Sequence, residues 1–242
     1  ATNSVVRYGT TPGNLNLMVN DAAMVADHAM RITGLNADTR YYYAVGASGT
    51  NFPATAENYF VTSPTQTRPV RLWVIGDAGT ADYSAARVRD AFLHYTRERK
   101  PDLMLMVGDN AYNNGADSEY EAALFDMFGP TLAQTVAWSC MGNHETYTVD
   151  MPYFKIFYFP TNGEAGGISS GSESYYSWNY ANIHFVCLES TIEDRSPQSP
   201  MLTWLRADLA ANTKQWLIVY IHAPPYSKGS HNSDDELEIE MW

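Results

Sequence analysis

Four short motifs that carry acidic, amide or histidine side chains each follow a short apolar run. They are Gly76-Asp77-Ala78-Gly79, Gly108-Asp109-Asn110-Ala111-Tyr112, Gly142-Asn143-His144-Glu145 and Ile221-His222-Ala223-Pro224-Pro225-Tyr226. Strands of an α/β sheet present ligand-binding groups beyond their carboxyl ends, so this placement predicts that the four motifs meet at one edge. Asp77 and Asp109 each follow a glycine, which lets the backbone turn sharply and a ligand approach closely. Such carboxylates, with an amide and an imidazole, indicate a site for two metal ions that hydrolyses phosphoesters.

Composition narrows the class of protein and of partner. The chain has 242 residues, 45% of them hydrophobic, which is enough for one large or two smaller domains with apolar cores. Its net charge is -12 and it has no run of Lys or Arg, which argues against a nucleic-acid-binding protein. Bound cations can dominate the local field of a site, so an acidic chain can still act on phosphate esters. The sequence has no long apolar stretch, so we expect no membrane partner, and small phosphorylated molecules are the expected substrates.

The elements that must position these motifs are predicted from periodicity. From residue 70 onward, short apolar strands alternate with segments of helical spacing, which indicates an α/β domain over residues 70–242. The predicted strands are Arg71–Ile75, Leu103–Val107, Val136–Met141, two strands within Tyr175–Glu189, and Gln215–Ile221; the predicted helices are Ser84–Lys100, Glu119–Phe128, Met201–Ala210 and one that begins at Ser233. Cys140 and Cys187 fall inside apolar runs, so we expect two buried thiols rather than a disulfide.

Residues 1–62 have a different pattern, in which apolar and polar positions alternate in short segments separated by turns. Strands are predicted near Val5–Gly9, Leu15–Asn20, His28–Thr33, Arg40–Ala47 and Ala56–Thr62. Such a series is typical of an all-β sandwich, of which these strands would form a part. Residues 63–69 contain prolines and polar side chains and are predicted to be a linker between the two domains.

The four motifs in this order resemble those of the calcineurin-like metallophosphoesterase superfamily, and specifically of the purple acid phosphatases. Tyr112 stands three residues after Asp109, where that subgroup places a tyrosinate on ferric iron. A fibronectin-like domain also precedes the catalytic domain in the subgroup. The turn from Gly34 to Tyr41 resembles that of a fibronectin type III domain, with Tyr41 as the corner tyrosine whose hydroxyl caps the preceding loop. The resemblance implies a partial fibronectin type III-like sandwich followed by a four-layer α/β/β/α metallophosphoesterase domain.

The resemblance also implies a role for each motif residue. Asp77 and Tyr112 would bind a ferric ion, Asp109 would bridge both metals, and Asn143 and His222 would bind a divalent ion, which is zinc, manganese or iron in this family. Hard carboxylate and phenolate oxygens suit trivalent iron, and imidazole suits a borderline divalent ion. A metal-bound hydroxide would then hydrolyse phosphate monoesters, with an acidic optimum suggested by the family.

The six histidines divide between this site and the rest of the chain. His144 and His231 resemble the histidines of the family that contact the phosphate or protonate the leaving group. His28, His94 and His184 are predicted to be ordinary packed or surface residues. The resemblance further implies secretion or periplasmic export.

The last motif of the family is missing from these residues. The family closes its site with Gly-His-x-His, one histidine for each metal, and the 242 residues contain no such motif. We therefore expect two further histidine ligands beyond Trp242 and a C-terminally incomplete catalytic domain. A complete fibronectin-like sandwich has about seven strands, whereas only five are predicted here. We therefore expect the two missing strands to precede Ala1. On this hypothesis the chain alone binds its metals weakly or incompletely, whereas its parent is a competent enzyme.

Two alternatives stay open at this stage. One is a phosphodiesterase or nucleotide pyrophosphatase on the same scaffold, and Tyr112 argues against it. The other is a non-catalytic binding module with an incomplete site, and the intact set of five ligand residues argues against that. The oligomeric state and the physiological substrate are not indicated by the sequence.

Overall fold

Ten strands in three sheets and five short helices make up the structure, a computed structural model that describes residues 1–50, 53, 55–97 and 99–229. The strands are β1 (Thr2–Gly9), β2 (Leu17–Val25), β3 (Arg40–Gly46), β4 (Tyr59–Val61), β5 (Leu72–Ile75), β6 (Leu103–Val107), β7 (Val136–Cys140), β8 (Tyr176–Tyr180), β9 (Ile183–Cys187) and β10 (Trp216–Tyr220). The helices are α1 (Tyr83–Thr96), α2 (Asp117–Tyr120), α3 (Met127–Leu132), α4 (Tyr153–Ile156) and α5 (Pro200–Ala211), with a π-helical segment at Glu121–Asp126 and a 3-10 turn at His144–Thr146.

The first four strands form one antiparallel sheet in the order β2-β1-β3-β4. Tyr41 on β3 is buried, and its hydroxyl accepts the backbone N–H of Asn36 at 3.0 Å. This is the bond expected of a corner tyrosine. The Tyr41 ring packs against Tyr8 and Phe60, with ring centroids 6.1 and 5.7 Å away. Tyr41 therefore ties the loop before β3 to the sheet.

The predicted strand at His28–Thr33 is wrong. The segment makes no strand pairing, and the His28 ring instead contacts β1, with Nδ1 2.7 Å from Oγ of Ser4 and Nε2 3.3 Å from Oγ1 of Thr2. These contacts join side chains only, and β1 already pairs with β2 and β3 on its two edges, so it offers this segment no free edge. The described part of residues 1–62 accordingly contains four strands in place of the five predicted.

Two three-stranded sheets form the rest of the structure. Strands β5, β6 and β7 are parallel, while β9 pairs with β10 in parallel and with β8 antiparallel. Trp138 of β7 stacks on Trp178 of β8 with ring centroids 4.1 Å apart, and the Tyr176 hydroxyl donates to the carbonyl of Ser139 at 2.6 Å. The two sheets thus share one core. Residues 103–106 of β6 are buried, which is the continuous apolar run expected of a strand covered on both faces.

One helix packs on each of these sheets. Phe92 of α1 stacks on Trp73 of β5 with ring centroids 3.7 Å apart. Helix α5 buries Met201 and Trp204 in a cluster with Val186 of β9. The predicted strands of this region are confirmed to within one residue at β5, β6, β7 and β10, and the predicted pair within Tyr175–Glu189 is confirmed as the hairpin of β8 and β9.

The helix ends follow from local chemistry. Helix α1 begins after Asp82, whose carboxylate accepts the N–H of Ala85 at 2.8 Å. It ends at Thr96, four residues before the predicted Lys100, because Arg97 has a positive φ of 46°, which cannot continue a right-handed helix. Helix α5 extends one residue beyond the prediction at each end.

The predicted helix Glu119–Phe128 is replaced by α2, the π-helical segment and α3 in succession. Tyr120, Leu124 and Phe128 are all buried and lie four residues apart. A four-residue repeat overshoots an α-helical turn of about 3.6 residues, and the wider π turn compensates, so all three side chains face the core.

Backbone and side-chain bonds hold the N-terminal sheet against the α/β part. The N–H of Tyr59 and the hydroxyl of Tyr43 both donate to the carbonyl of Ala133, at 3.0 and 3.2 Å. Arg68, in the predicted linker, donates to Asp102 and to the Tyr180 hydroxyl, each at 3.0 Å. The predicted linker is therefore bonded to the α/β part.

Further observations concern the cysteines, membrane-spanning helices and the C-terminal residues. Cys140 and Cys187 are buried free thiols, as predicted. Within the part of the chain that the structure describes, no helix has the length and apolar character needed to span a membrane. The predicted site residue His231 and the predicted helix from Ser233 lie outside the described residues.

Candidate metal centre

Backbone hydrogen bonds join the loops after β5 and β6. The N–H of Asp77 donates to the carbonyl of Gly108 at 3.1 Å, and the N–H of Gly79 donates to the carbonyl of Asp109 at 3.1 Å. Asp77 and Asp109 adopt φ of 54° and 52°, a left-handed conformation that costs a residue other than glycine about 1 kcal/mol or more. Such strain persists only where surrounding bonds over-determine it, so the two loops hold both carboxylates in fixed positions.

Oxygen and nitrogen donors from both sheets converge beyond the strand ends. Asp77, Asp109 and His222 each place one ligand atom within 4.8 Å of the others. The Tyr112 hydroxyl lies 3.0 Å from Oδ1 of Asp77 and 2.7 Å from Oδ2 of Asp109. Two carboxylates, one phenol and one imidazole therefore meet at one point, which is a donor set suited to a hard cation beside a borderline one.

The orientation of the His222 ring is set by a backbone carbonyl. Its Nδ1 lies 2.9 Å from the carbonyl oxygen of Val107, which can only accept, so Nδ1 carries the proton. Its Nε2 then faces Oδ1 of Asn143 at 3.2 Å and Oδ1 of Asp109 at 3.5 Å. Histidine ligands of metals commonly donate their other ring N–H in this way. His222 is therefore oriented to offer Nε2 to a cation.

Tyr147 orients the amide of Asn143. The Nδ2 group of Asn143 donates to the Tyr147 hydroxyl at 2.9 Å, which leaves Oδ1 on the side of His222. An amide oxygen is a possible metal ligand and an amide N–H is not, so this contact selects the orientation that can bind a cation.

His144 lies beside these donors with its orientation also set. Its Nδ1 lies 2.6 Å from the carbonyl oxygen of Asn113, so Nδ1 donates there and Nε2 is directed elsewhere, 3.9 Å from Oδ2 of Asp109. The His144 ring packs between Tyr112 and Tyr147, with centroids 4.4 and 4.9 Å away. The side chain is one-quarter exposed, and its Nε2 lies on the side of the Asp109 carboxylate.

Glycines allow the close approaches on which this geometry depends. A β-carbon on Gly79 would overlap the backbone at Asn110 and Ala111. A β-carbon on Gly108 would lie 2.5 Å from Nδ1 of His222, and Gly108 also has φ of 88°. Both positions therefore require glycine, and they bring the strand ends close enough for their donors to share a ligand.

The electrostatics also fit a cation. Burial, followed by hydrogen bonds to Asp109 and Asp77, raises the pKa of Tyr112 well above its ordinary value of 10.0. The neighbouring carboxylates thus disfavour a third negative charge. A bound cation has the opposite effect, because it favours the ionised form of each group that contacts it and so lowers the pKa of that group. The residues present fit a metal site on donor type and on proximity.

The structure brings together most of the residues that the sequence nominated. Asp77, Asp109, Tyr112, Asn143 and His222 converge, His144 lies next to them, and His231 is outside the described residues. Their roles as ligands remain proposals.

Two residues near the site received no role from the sequence. Glu145 is buried and hydrogen-bonded to the loops that carry Asp109 and Asn143. Its position in the Gly-Asn-His-Glu motif at a strand end was the sequence feature that could have indicated a role. Tyr147 stands four residues after Asn143, one turn along, and no sequence signal distinguishes it from other exposed tyrosines.

Comparison with known proteins assigns the chain to a family. The family model for calcineurin-like phosphoesterases matches residues 70–241. Purple acid phosphatase 18 of Arabidopsis thaliana is 30% identical over 258 residues, which cover 98% of this chain and 55% of that protein. Purple acid phosphatase 1 of Ipomoea batatas is 29% identical over 216 residues, which cover 83% of this chain and 43% of that protein.

A solved structure has a similar fold. The purple acid phosphatase from seeds of yellow lupin, Lupinus luteus, matches with a TM-score of 0.73 and 17% sequence identity over 94% of this chain and 47% of that chain. The chain spans about half the length of the relatives it matches.

Proposed function

Because the chain belongs to the calcineurin-like phosphoesterase family, with purple acid phosphatases among its relatives, we propose that it hydrolyses phosphate monoesters at a binuclear metal centre. The observation that carries the proposal is the convergence of Asp77, Asp109 and His222, whose ligand atoms lie within 4.8 Å of one another. The left-handed backbone of Asp77 and Asp109 and the fixed orientation of the His222 imidazole also support a binding role, because strained residues cluster at functional sites. The expected substrates are small phosphorylated molecules.

The proposed ligand set divides by donor type. Asp77 and Tyr112 offer carboxylate and phenolate oxygens to a ferric ion, and Asn143 and His222 offer an amide oxygen and an imidazole to zinc, manganese or ferrous iron. Asp109 contacts both halves of the set, since Oδ2 accepts from Tyr112 and Oδ1 faces His222, which supports a bridging role. Metal ions bound there would supply Lewis-acid polarisation of the phosphate and a water of lowered pKa.

His144 is the proposed group that contacts the phosphate or gives a proton to the leaving oxygen. Its Nδ1–H is held by the Asn113 carbonyl, so Nε2 is the atom that can exchange a proton with the substrate. His231 is proposed for a similar role by resemblance alone, since it lies outside the described residues.

The domain organisation is part of the proposal. Residues 1–62 would be a partial fibronectin type III-like domain, 63–69 a linker and 70–242 a four-layer metallophosphoesterase domain. The Tyr41 corner bond supports the first assignment, and the packing of α1 and α5 on two sheets that share a core supports the last. Secretion or periplasmic export is proposed from the resemblance.

A paired-substrate assay tests the function. The full-length protein that contains these residues is reconstituted with ferric iron and zinc, its metal content is measured, and turnover of p-nitrophenyl phosphate is compared with that of bis(p-nitrophenyl) phosphate. We expect the monoester to be preferred and Asp109→Asn to lose at least about 100-fold in kcat/KM, because that variant removes a carboxylate from both halves of the ligand set. A preference for the diester would favour the phosphodiesterase alternative, and absence of turnover with both metals bound would favour the binding module.

A further inference from the structure

Glu145 joins the loop that carries Asp109 to the loop that carries Asn143. The side chain is 1% exposed, and its Oε2 accepts the backbone N–H of Asp109 at 3.0 Å and that of Gly142 at 2.6 Å. Gly142 directly precedes Asn143 along the chain. A single carboxylate oxygen is therefore bonded to both loops.

The other oxygen of Glu145 is equally occupied. Oε1 accepts the backbone N–H of Asn110 at 2.6 Å and the hydroxyl of Tyr120 at 3.4 Å. A buried carboxylate is stable only where hydrogen bonds replace the water it has lost, and here four donors do so. The Tyr120 contact also links the pair of loops to the helical segment that begins at α2.

We propose that Glu145 is a positioning residue that sets the distance between Asp109 and Asn143, and with it the spacing of the two metal positions. The inference rests on the proposed function, in which Asp109 bridges the metals and Asn143 binds the divalent one. Glu145 acts on them through their peptide N–H groups and through Gly142. It offers no oxygen to the ligand cluster itself, because both are taken by these donors.

The bonding pattern requires a carboxylate of this length. Each oxygen of Glu145 receives two donors, and at least one of each two is a backbone N–H, so the N–H groups of a glutamine would face at least one backbone donor in either orientation. An aspartate keeps the charge but is shorter by one methylene, and it would reach one loop at the expense of the other. Both substitutions preserve most of the volume of the side chain.

Asp208 provides a matched control. It is also 1% exposed, and its carboxylate accepts the backbone N–H of Ile168 at 2.8 Å and the hydroxyl of Ser177 at 2.7 Å, and lies 2.7 Å from Nε2 of His184. The acid-to-amide change Asp208→Asn therefore removes a buried, hydrogen-bonded carboxylate far along the chain from the metal-site loops. This variant therefore shows how the loss of a buried carboxylate affects the stability of the fold when the metal-site loops are not touched.

Two measurements test the inference. Hydrogen exchange of the metal-free chain reports the protection of residues 108–112 and 141–145, and titration with zinc reports affinity. In Glu145→Gln we expect protection of both segments to fall together and zinc affinity to fall at least about tenfold, the scale seen when a group supporting a metal ligand is removed. Asp208→Asn should leave zinc affinity unchanged and should lower the protection of these two segments no more than that of the rest of the chain.

The outcomes separate this inference from the proposed function. Unchanged protection of the two segments in Glu145→Gln, or an equal loss of zinc affinity in Asp208→Asn, would overturn the positioning role. If the wild-type full-length protein binds no zinc, the proposed function fails, and the exchange measurement still decides whether Glu145 couples the loops. Should Glu145→Gln not fold, Glu145→Asp is measured in the same two assays, and we expect it to retain protection of only one segment.

Discussion

Gly142 lies directly against the carboxylate of Asp109. A β-carbon built on Gly142 would overlap Oδ1 of Asp109 and lie 2.5 Å from its backbone nitrogen. The requirement for glycine here comes from this close approach and not from a left-handed backbone, since Gly142 is not among the residues with positive φ. The contact allows the loop after β7 to reach the residue on which both proposed metal positions depend.

Gly142→Ala is expected to weaken zinc binding by more than about tenfold and to lower stability by about 1–3 kcal/mol, because the added methyl must displace the Asp109 carboxylate or the loop. Zinc titration and urea unfolding measure the two effects. Gly129→Ala is the control: apart from its chain neighbours and its own helix, no atom lies within 4 Å of its β-carbon position, so we expect zinc affinity to stay unchanged. Normal zinc affinity in Gly142→Ala would contradict the steric argument.

Tyr112→Phe is expected to abolish the visible absorption band that a phenolate gives to ferric iron. The variant keeps the ring that packs on His144, with centroids 4.4 Å apart, and removes only the hydroxyl that contacts Asp77 and Asp109. Tyr147→Phe removes a hydroxyl from the same neighbourhood and should keep the band. Absorption spectra of the iron-loaded proteins compare the two, and a band that survives in Tyr112→Phe would rule out Tyr112 as the iron ligand.

Tyr147→Phe should instead lower the affinity for the divalent ion by about fivefold. The lost bond is the one that holds Nδ2 of Asn143 at 2.9 Å, and a neutral hydrogen bond contributes about 1 kcal/mol. Tyr158→Phe is a matched control, because Tyr147 and Tyr158 are both 57% exposed. Manganese titration measures the affinity. Equal values for the two variants would show that the Asn143 amide keeps its orientation without Tyr147.

His144→Asn is expected to lower kcat by about 100-fold while the metal content stays unchanged. Asparagine can still donate to the Asn113 carbonyl, but it has no group in place of Nε2, the atom proposed to exchange a proton. His94→Asn, on the exposed side of α1, controls for loss of a histidine elsewhere. Steady-state kinetics with elemental analysis provide the measurement. Loss of metal in His144→Asn would assign this residue to the ligands instead.

The Asp208 carboxylate is expected to make the folding stability of the protein depend on pH under acidic conditions. Burial opposes its ionisation, but hydrogen bonds from His184, the Ile168 amide and Ser177 outweigh burial and hold the pKa of Asp208 below its ordinary value of 3.8. A lowered folded pKa contributes stability that is present above the unfolded value of about 3.9 and is lost as pH falls through the folded value.

Asp208→Asn should therefore cost about 2 kcal/mol at pH 7, the contribution of hydrogen bonds to a charged group, and should show a weaker decline in stability below about pH 4. Urea unfolding at a series of pH values measures both. Asp150→Asn, whose side chain is 75% exposed, should change stability by less than about 0.5 kcal/mol. Parallel pH profiles for wild type and Asp208→Asn would contradict the assignment.

Much of the α/β part was predictable because its signals are local. The run at Leu103–Val107 has no polar position, and such a run is buried on both faces in a parallel sheet, as β6 is. The prediction failed at His28–Thr33, where apolar and polar residues also alternate. There the His28 ring bonds to Ser4 and Thr2 on β1, and nothing within the segment indicates that contact.

The sequence by itself determined which residues carry donor atoms and that each follows a strand, because a strand and the turn after it depend on neighbouring residues. The tertiary structure alone decided which atom of each residue faces the site. His222 offers Nε2 because its Nδ1 bonds to Val107, 115 residues earlier, and Glu145 reaches the N–H of Asp109 across 36 residues. Such bonds join strands that are distant in the chain and adjacent in the sheets, so their geometry exists only after the sheets have formed and packed.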